Sequence, residues 1–181
     1  MTDADTDTAT ALLRSGEAQG QWSLDPAKST VEFGVKHFWH AITVRGRFGQ
    51  LTGTATVGPD GSVSGQLAMQ ADSLSTKNKQ RDKHLRSADF FDVEHHPVVI
   101  LTVTEATPDG HGEIAMRGTL EAAGHSQPVS FTARAEEAGP DAVTLRAELV
   151  VDRSAFGMTW RPMGIAAMEA TGTVVARFVR A

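Results

Sequence analysis

The chain has 181 residues with no cysteine and no tyrosine, and only 6% of it is aromatic. The missing cysteines exclude disulfides, thiol catalysis and cysteine–zinc sites. No run approaches the ~18 consecutive apolar residues of a membrane helix, so stable membrane insertion is not expected. Neither sign of charge is in large excess. The net charge is −5, and Asp3, Asp5, Asp7 and Glu17 sit against Arg14 within residues 1–20. The body is therefore near neutral, a weak argument against a nucleic-acid partner. Residues 1–20 also lack the basic start and apolar stretch of a signal peptide. A soluble, cytoplasmic protein is the simplest expectation.

A hydrophobic content of 40% is enough to bury one core, and the length suits one domain. Residues 1–20 read as a tail, partly disordered or a short helix, with residues 21–181 as the folded domain. Residues 1–8 are acidic and threonine-rich. ATALLRSG (9–16) suits one or two helical turns, with Thr8 or Thr10 as cap, Gly16 as stop and Leu12 and Leu13 as anchors. It is either a frayed tail or a short plug on the body.

From Trp22 onward the hydrophobic period is two. Val31, Phe33, Val35 and His37 share one face. Val44, Gly46 and Phe48 fall on even positions, whereas Leu51, Gly53, Ala55 and Val57 fall on odd ones. That change of phase at Gly49–Gln50 predicts a bulge in one extended segment. Leu67, Met69 and Ala71 continue the inward face. VVILTVTE (98–105) is a continuous apolar run, and further alternating segments are centred on Met116, Phe131, Leu145 and Phe178. About eight strands with turns at 58–62, 108–112, 123–127 and 139–141 predict an antiparallel barrel or sandwich.

Small residues lie in phase with the large ones: Gly53, Ala55, Ala71, Gly118, Ala122, Ala133, Ala135, Ala147 and Ala176. In an eight-stranded barrel they would leave room for one small ligand. In a sandwich they would interdigitate with bulky partners. Periodicity leaves both open. Few polar groups and no tyrosine face inward, which favours an apolar guest over a sugar or nucleotide. Met69 and Met116 suit an adaptable cavity or serve as ordinary core filler.

Two segments break the strand pattern. RSAFGMTWRPMGIAAMEA (153–170) is apolar but interrupted by Pro162 and Gly164. It is expected to line the barrel mouth, with Trp160 and Met163 touching ligand. RDKHLRSADFFDVEHHP (81–97) is a basic, helix-compatible insert, with Ser75 or Thr76 available as cap. A diphosphate or carboxylate head group would suit backbone N–H groups with Arg81 or Lys83. The alternative is a solvated basic face, with Arg81 and Asp82 pairing to strand ends. Phe90 and Phe91 read as wedges onto the barrel.

The histidines are His37, His40, His84, His95, His96, His111 and His125, and no pair forms HExxH. A metal site through His84, His95 and His96 is a minor alternative. Ser154 has no histidine near it in sequence, and GxSxG, Walker and Rossmann patterns are absent.

WSLDPAKSTVEFGVKH (22–37), RGRFGQLTGTATV (45–57), the RDKHLRSADFFDVEHHP block, MRGTLEAAGHSQPVSF (116–131) and DRSAFGM (152–158) together resemble the YceI-like family. The resemblance covers about residues 21–180. The insert motif carries over to Arg81, Asp82, His84, Leu85, Phe90, Phe91 and Asp92. It implies an all-β fold: an extended eight-stranded antiparallel β-barrel, lipocalin-like, with a short helical insert. It also implies a long apolar cavity that binds polyisoprenoid or a related long-chain lipid. Such proteins are often periplasmic, and the acidic N-terminal segment departs from that pattern.

The expected function is non-catalytic binding, sequestration or transport of such a lipid, an isoprenoid quinone precursor or a fatty-acid derivative. Candidate cavity-lining residues are Phe33, Val35, His37, Phe48, Leu67, Met69, Met116, Leu120, Phe131, Leu149, Phe156, Met158, Trp160, Met163 and Phe178. Candidate head-group contacts are Arg81, Lys83 and His84. No metal and no cofactor other than bound lipid is expected, and a homodimer stays open. Alternatives are an isoprenoid-related enzyme or accessory factor using His37 or His84, and a structural barrel with a filled core.

Overall fold

Segments with a two-residue hydrophobic period must bury one face, and here they do so by curling into a closed sheet. The structure is a computed structural model, and it describes residues 2–37, 41–109 and 112–181. His40 and His111 therefore lie outside the described residues. Strand β1 comprises Gly20–Leu24 and Thr30–His37, β2 comprises Ile42–Phe48 and Leu51–Val57, and β3 comprises Val63–Gln70 and Leu74–Ser75. Then follow β4 (Val98–Pro108), β5 (Ile114–Ala122), β6 (His125–Ala138), β7 (Ala142–Asp152) and β8 (Ala166–Arg180). Each strand pairs antiparallel with the next in the chain. β8 returns to β1, with Trp22 opposite Arg180 and Thr30 opposite Val175. The return of β8 closes the sheet, while the first half of β2 and the short Leu74–Ser75 segment of β3 keep one ladder partner between them, at Arg47 and Phe48.

The first three strands are each broken once, and the breaks lie side by side. β1 turns through Pro26–Lys28, β2 through Gly49–Gln50 and β3 through Ala71–Ser73. Serine hydroxyls replace the ladder partners lost there. Ser73 Oγ accepts from Gly49 N (3.1 Å) and Gln50 N (3.0 Å). Ser29 Oγ accepts from Arg177 N at 3.0 Å and donates to Asp25 O at 2.7 Å. The phase change at Gly49–Gln50 is thus one part of a corner shared by three strands, rather than a bulge confined to one.

The ends of the barrel are covered by helices. α1 spans Thr2–Ser15 and stops at Gly16, whose φ of +80° suits glycine. It extends further toward the N-terminus than the one or two turns expected. Arg14 in its last turn complements the helix dipole. Leu12 and Leu13 pack on Trp22, Val57 and their neighbours, and Trp22 Nε1 donates to Ala18 O at 2.9 Å.

α2 spans Lys79–Arg86, and its cap is Asn78, whose side chain accepts from Arg81 N at 3.0 Å. Neither Ser75 nor Thr76 caps it. Thr76 is held instead by Asp82, which accepts from Thr76 N (2.8 Å) and Thr76 Oγ1 (2.5 Å). The apolar segment after β7 is also shorter than expected, because β8 begins at Ala166 and pairs there with His37.

Gly118 of β5 illustrates how closely the strands approach. A Cβ there would overlap the Thr102 carbonyl oxygen of β4. Gly118→Ala should therefore force the two strands apart and cost about 1–3 kcal/mol. Chemical denaturation would show this as a lower midpoint, and an unchanged midpoint would refute the close-packing account.

Candidate functional site

Two apolar cavities lie end to end inside the barrel, of about 170 and 220 Å³. They share Leu67, Leu101 and Val174 as a common waist. Together they reach the lower end of the ~300–1,000 Å³ typical of small-molecule sites. The first lies toward α1, with Leu12, Leu13 and Trp22 in its wall. The second lies toward α2, with Leu85, Phe90 and Phe91 in its wall.

About half of the inward small residues make this hollow. Ala55, Ala133, Ala147 and Ala176 line the first cavity and Ala122 lines the second. Gly53, Ala71, Gly118 and Ala135 line neither. The Gly53 Cβ position faces Gln66 O and Leu24 at 3.0–3.2 Å. Ala71 sits fully buried in the β3 turn, and Ala135 is fully buried in β6.

The expected lining residues divide by cavity. Met116, Phe131 and Phe178 line the first, and Leu67 lines both. Phe33, Val35, His37, Phe48, Met69, Leu120, Leu149, Phe156, Met158 and Trp160 line the second. Met163 does not join them. It is 93% exposed, at positive φ beside Gly164, so the loop carries its side chain away from the mouth. Of the head-group candidates, Arg81 and His84 line the second cavity. Lys83 lies on the exposed side of α2 and lines neither.

Two aromatic clusters shape the second cavity. Phe91 reaches from the insert to Phe48 (5.7 Å between centroids) and Phe33 (6.1 Å), which are themselves 5.5 Å apart. Phe33 lies over Gly46, where a Cβ would collide with its ring. Nearer the mouth, His84 packs edge-on against Trp160 at 4.4 Å, and Phe90 meets both. Trp160 remains 41% exposed.

The polar side chains at this end have defined partners. Arg81 Nε donates to Thr76 Oγ1 (2.8 Å) and Arg81 Nη2 to Thr76 O (3.0 Å), which ties α2 to the end of β3. His84 Nε2 lies 2.8 Å from Asp89 Oδ2. His95 Nδ1 is 2.9 Å from Asp92 Oδ1, and His96 is 3.9 Å from the other oxygen of that carboxylate. His84 is thus drawn to Asp89, whereas His95 and His96 share Asp92. Among the described residues, no group of three or more such side chains is placed to hold a metal ion.

Sequence reasoning missed Arg153. It lies just after β7, is 4% exposed and lines the second cavity. Its Nε donates to Ala167 O (2.8 Å), and its Nη1 donates to Met158 O (2.7 Å) and Trp160 O (2.9 Å). These bonds hold the apolar segment against the barrel. The available signal was an arginine embedded in DRSAFGM, at the head of an apolar segment. Burial pushes the Arg153 pKa below its ordinary value, with the charge of Arg161 adding to the effect. Burial also lowers the His37 pKa, helped by the charges of Arg153 and then Arg81.

Comparison with known proteins follows the same outline. The YceI-like domain model matches residues 22–179. A UPF0312 protein of Vibrio cholerae is 29% identical over 117 residues, covering 64% of this chain and 61% of that protein. A UPF0312 protein of Shewanella denitrificans is 29% identical over 139 residues, covering 74% and 71%. The fold resembles BcnA of Burkholderia cenocepacia, with a TM-score of 0.77 and 21% identity over 85% of this chain and 98% of that one. It also resembles a polyisoprenoid-binding domain from Saccharophagus degradans, with a TM-score of 0.73 and 16% identity over 88% and 98%.

The environment of His37 gives a pH prediction. Its pKa is lowered on folding, so the unfolded chain binds the proton more tightly. The native state therefore loses stability as pH falls below about 6.5, the ordinary histidine value. His37→Gln should flatten that acid limb without changing stability at pH 8. Denaturant titrations at several pH values would reveal it, and parallel profiles for both proteins would rule it out.

Proposed function

The chain belongs to the YceI-like family, and on that premise we propose that it binds and carries a long-chain apolar lipid inside the barrel. The observation that carries this reading is the pair of apolar cavities joined at Leu67, Leu101 and Val174. An elongated hollow of that kind suits a chain better than a compact solute. The similarity in fold to a polyisoprenoid-binding domain supports the same reading. Candidate ligands are a polyisoprenoid, an isoprenoid quinone precursor or a fatty-acid derivative.

Transfer of hydrocarbon from water would supply the affinity, at about 0.8 kcal/mol per buried methylene. Binding costs reduce the net gain to nearer ~0.3 kcal/mol per heavy atom for a large ligand. A ~20-carbon chain then reaches about 6 kcal/mol, or tens of micromolar. No bond-making step is needed, so the role is binding rather than catalysis. His84 is engaged by Asp89 and Trp160, which suits a part of the wall.

Mass spectrometry of organic extracts from the purified protein should detect a bound long-chain lipid, whereas extracts holding none would favour a filled structural barrel. In a homologous series, affinity should rise with chain length and then level off when both cavities are full. Ala147→Phe would fill the first cavity, which Ala147 lines. It should weaken long chains by about tenfold and leave short ones unaffected. Equal effects on short and long chains would remove the end-to-end arrangement.

A further inference from the structure

We propose that Arg153 reads an anionic head group, a carboxylate or phosphate monoester, on the lipid that the barrel binds. This rests on the lipid-binding reading above and adds the chemistry of the ligand's polar end. It also assigns an orientation, with the head near α2 and the tail passing the waist toward α1.

The argument begins with an unfinished set of hydrogen bonds. A guanidinium offers five N–H donors in a planar fork. Three bonds to backbone carbonyls use Nε and Nη1 of Arg153. Nη2 is buried and has no hydrogen-bond partner among the described residues. A buried polar group left without a partner is rare and calls for an explanation. Here it belongs to a permanently charged side chain in the wall of an apolar cavity.

Among the described residues, no carboxylate forms an ion pair with Arg153 either. Asp152, the adjacent residue, accepts instead from Ser154 N (2.9 Å) and Ser154 Oγ (2.5 Å). Glu32 is the acid in the lining of this cavity, and it is exposed. Asp82 is committed to Thr76. Arg81 and His37 line the same cavity, so a second cation and a neutral imidazole face it. A buried cation needs a counter-charge or a full set of acceptors. A ligand anion supplies both and fits the fork geometry.

The approach is also defined. The Phe90 ring lies 5.9 Å from Arg153 Cζ and packs on His84 and Trp160. An arriving anion would displace this ring, because a charge-assisted hydrogen bond outweighs a cation–π contact at that distance. Three backbone bonds keep the guanidinium in place as the head group arrives, so little ordering is lost on binding.

Oleate and methyl oleate, titrated below their aggregation limits into the full chain, provide the test. Geranylgeranyl phosphate and geranylgeraniol form a second pair that separates phosphate from carboxylate recognition. In at least one pair the anion should bind roughly 10- to 100-fold tighter than its neutral partner. Arg153→Lys, which keeps the charge but loses the fork, should shrink that ratio to a few-fold while the neutral lipid's Kd holds. Equal affinities within both pairs would overturn the head-group assignment and leave lipid binding intact. A folded Arg153→Lys protein that keeps the full ratio would also overturn it. Failure of all four lipids to bind would instead sink the lipid-binding reading beneath it. The paired comparison in the unaltered protein needs no variant, so it decides the matter even if Arg153→Lys fails to fold.

Discussion

The return of β8 to β1 is the constraint from which the interior follows. β8, fifteen residues long, pairs with β7 on one side and with both segments of β1 on the other. A closed ladder fixes the circumference through backbone hydrogen bonds, independently of what fills the middle. In an open sandwich, two sheets carrying alanines on their inner faces could move together and close the gap. A barrel wall cannot collapse in that way without breaking ladder bonds. Small inward residues therefore become a cavity.

The aligned breaks in β1, β2 and β3 use the same constraint differently. A single bulge would be absorbed locally. Here three adjacent corners interrupt the wall, with Ser73 joining the corners of β2 and β3 and Ser29 joining the corner of β1 to β8. On β1 and β2 the breaks fall between the residues of the first cavity and those of the second. At the far end, Arg153 has its own structural duty. It holds the apolar segment through three carbonyls and keeps Met158 and Phe156 turned inward. Support of the wall and a polar anchor within it are combined in one side chain.

Much of this was legible from residue periodicity. The alternation through Val31, Phe33 and Val35, and through Met116, Gly118 and Leu120, fixed which side chains could face inward. The neutral body and absent cysteines narrowed the chemistry. The sites near α2 were less accessible to such reasoning. Arg153, Thr76 and Asp82 act through partners set by the end of β3 and the loop after β7, and no local period records those encounters. Met163 was expected at the mouth because its segment is apolar, but composition does not say which way a loop turns at a left-handed residue. Gly118 and Ala122 belong to the same inward alternation. One nevertheless meets a neighbouring carbonyl and the other a cavity, a distinction that depends on inter-strand distance.

The sequence by itself determined the strands, their buried faces and the positions of most turns, because a period of two is a local property of an extended chain. Only the tertiary structure decided that the sheet closes, that three corners align, and that Arg153 stands buried with one nitrogen unpaired among the described residues. Those outcomes depend on contacts between residues far apart in the chain, where backbone geometry and ladder closure, rather than side-chain pattern, choose the neighbours.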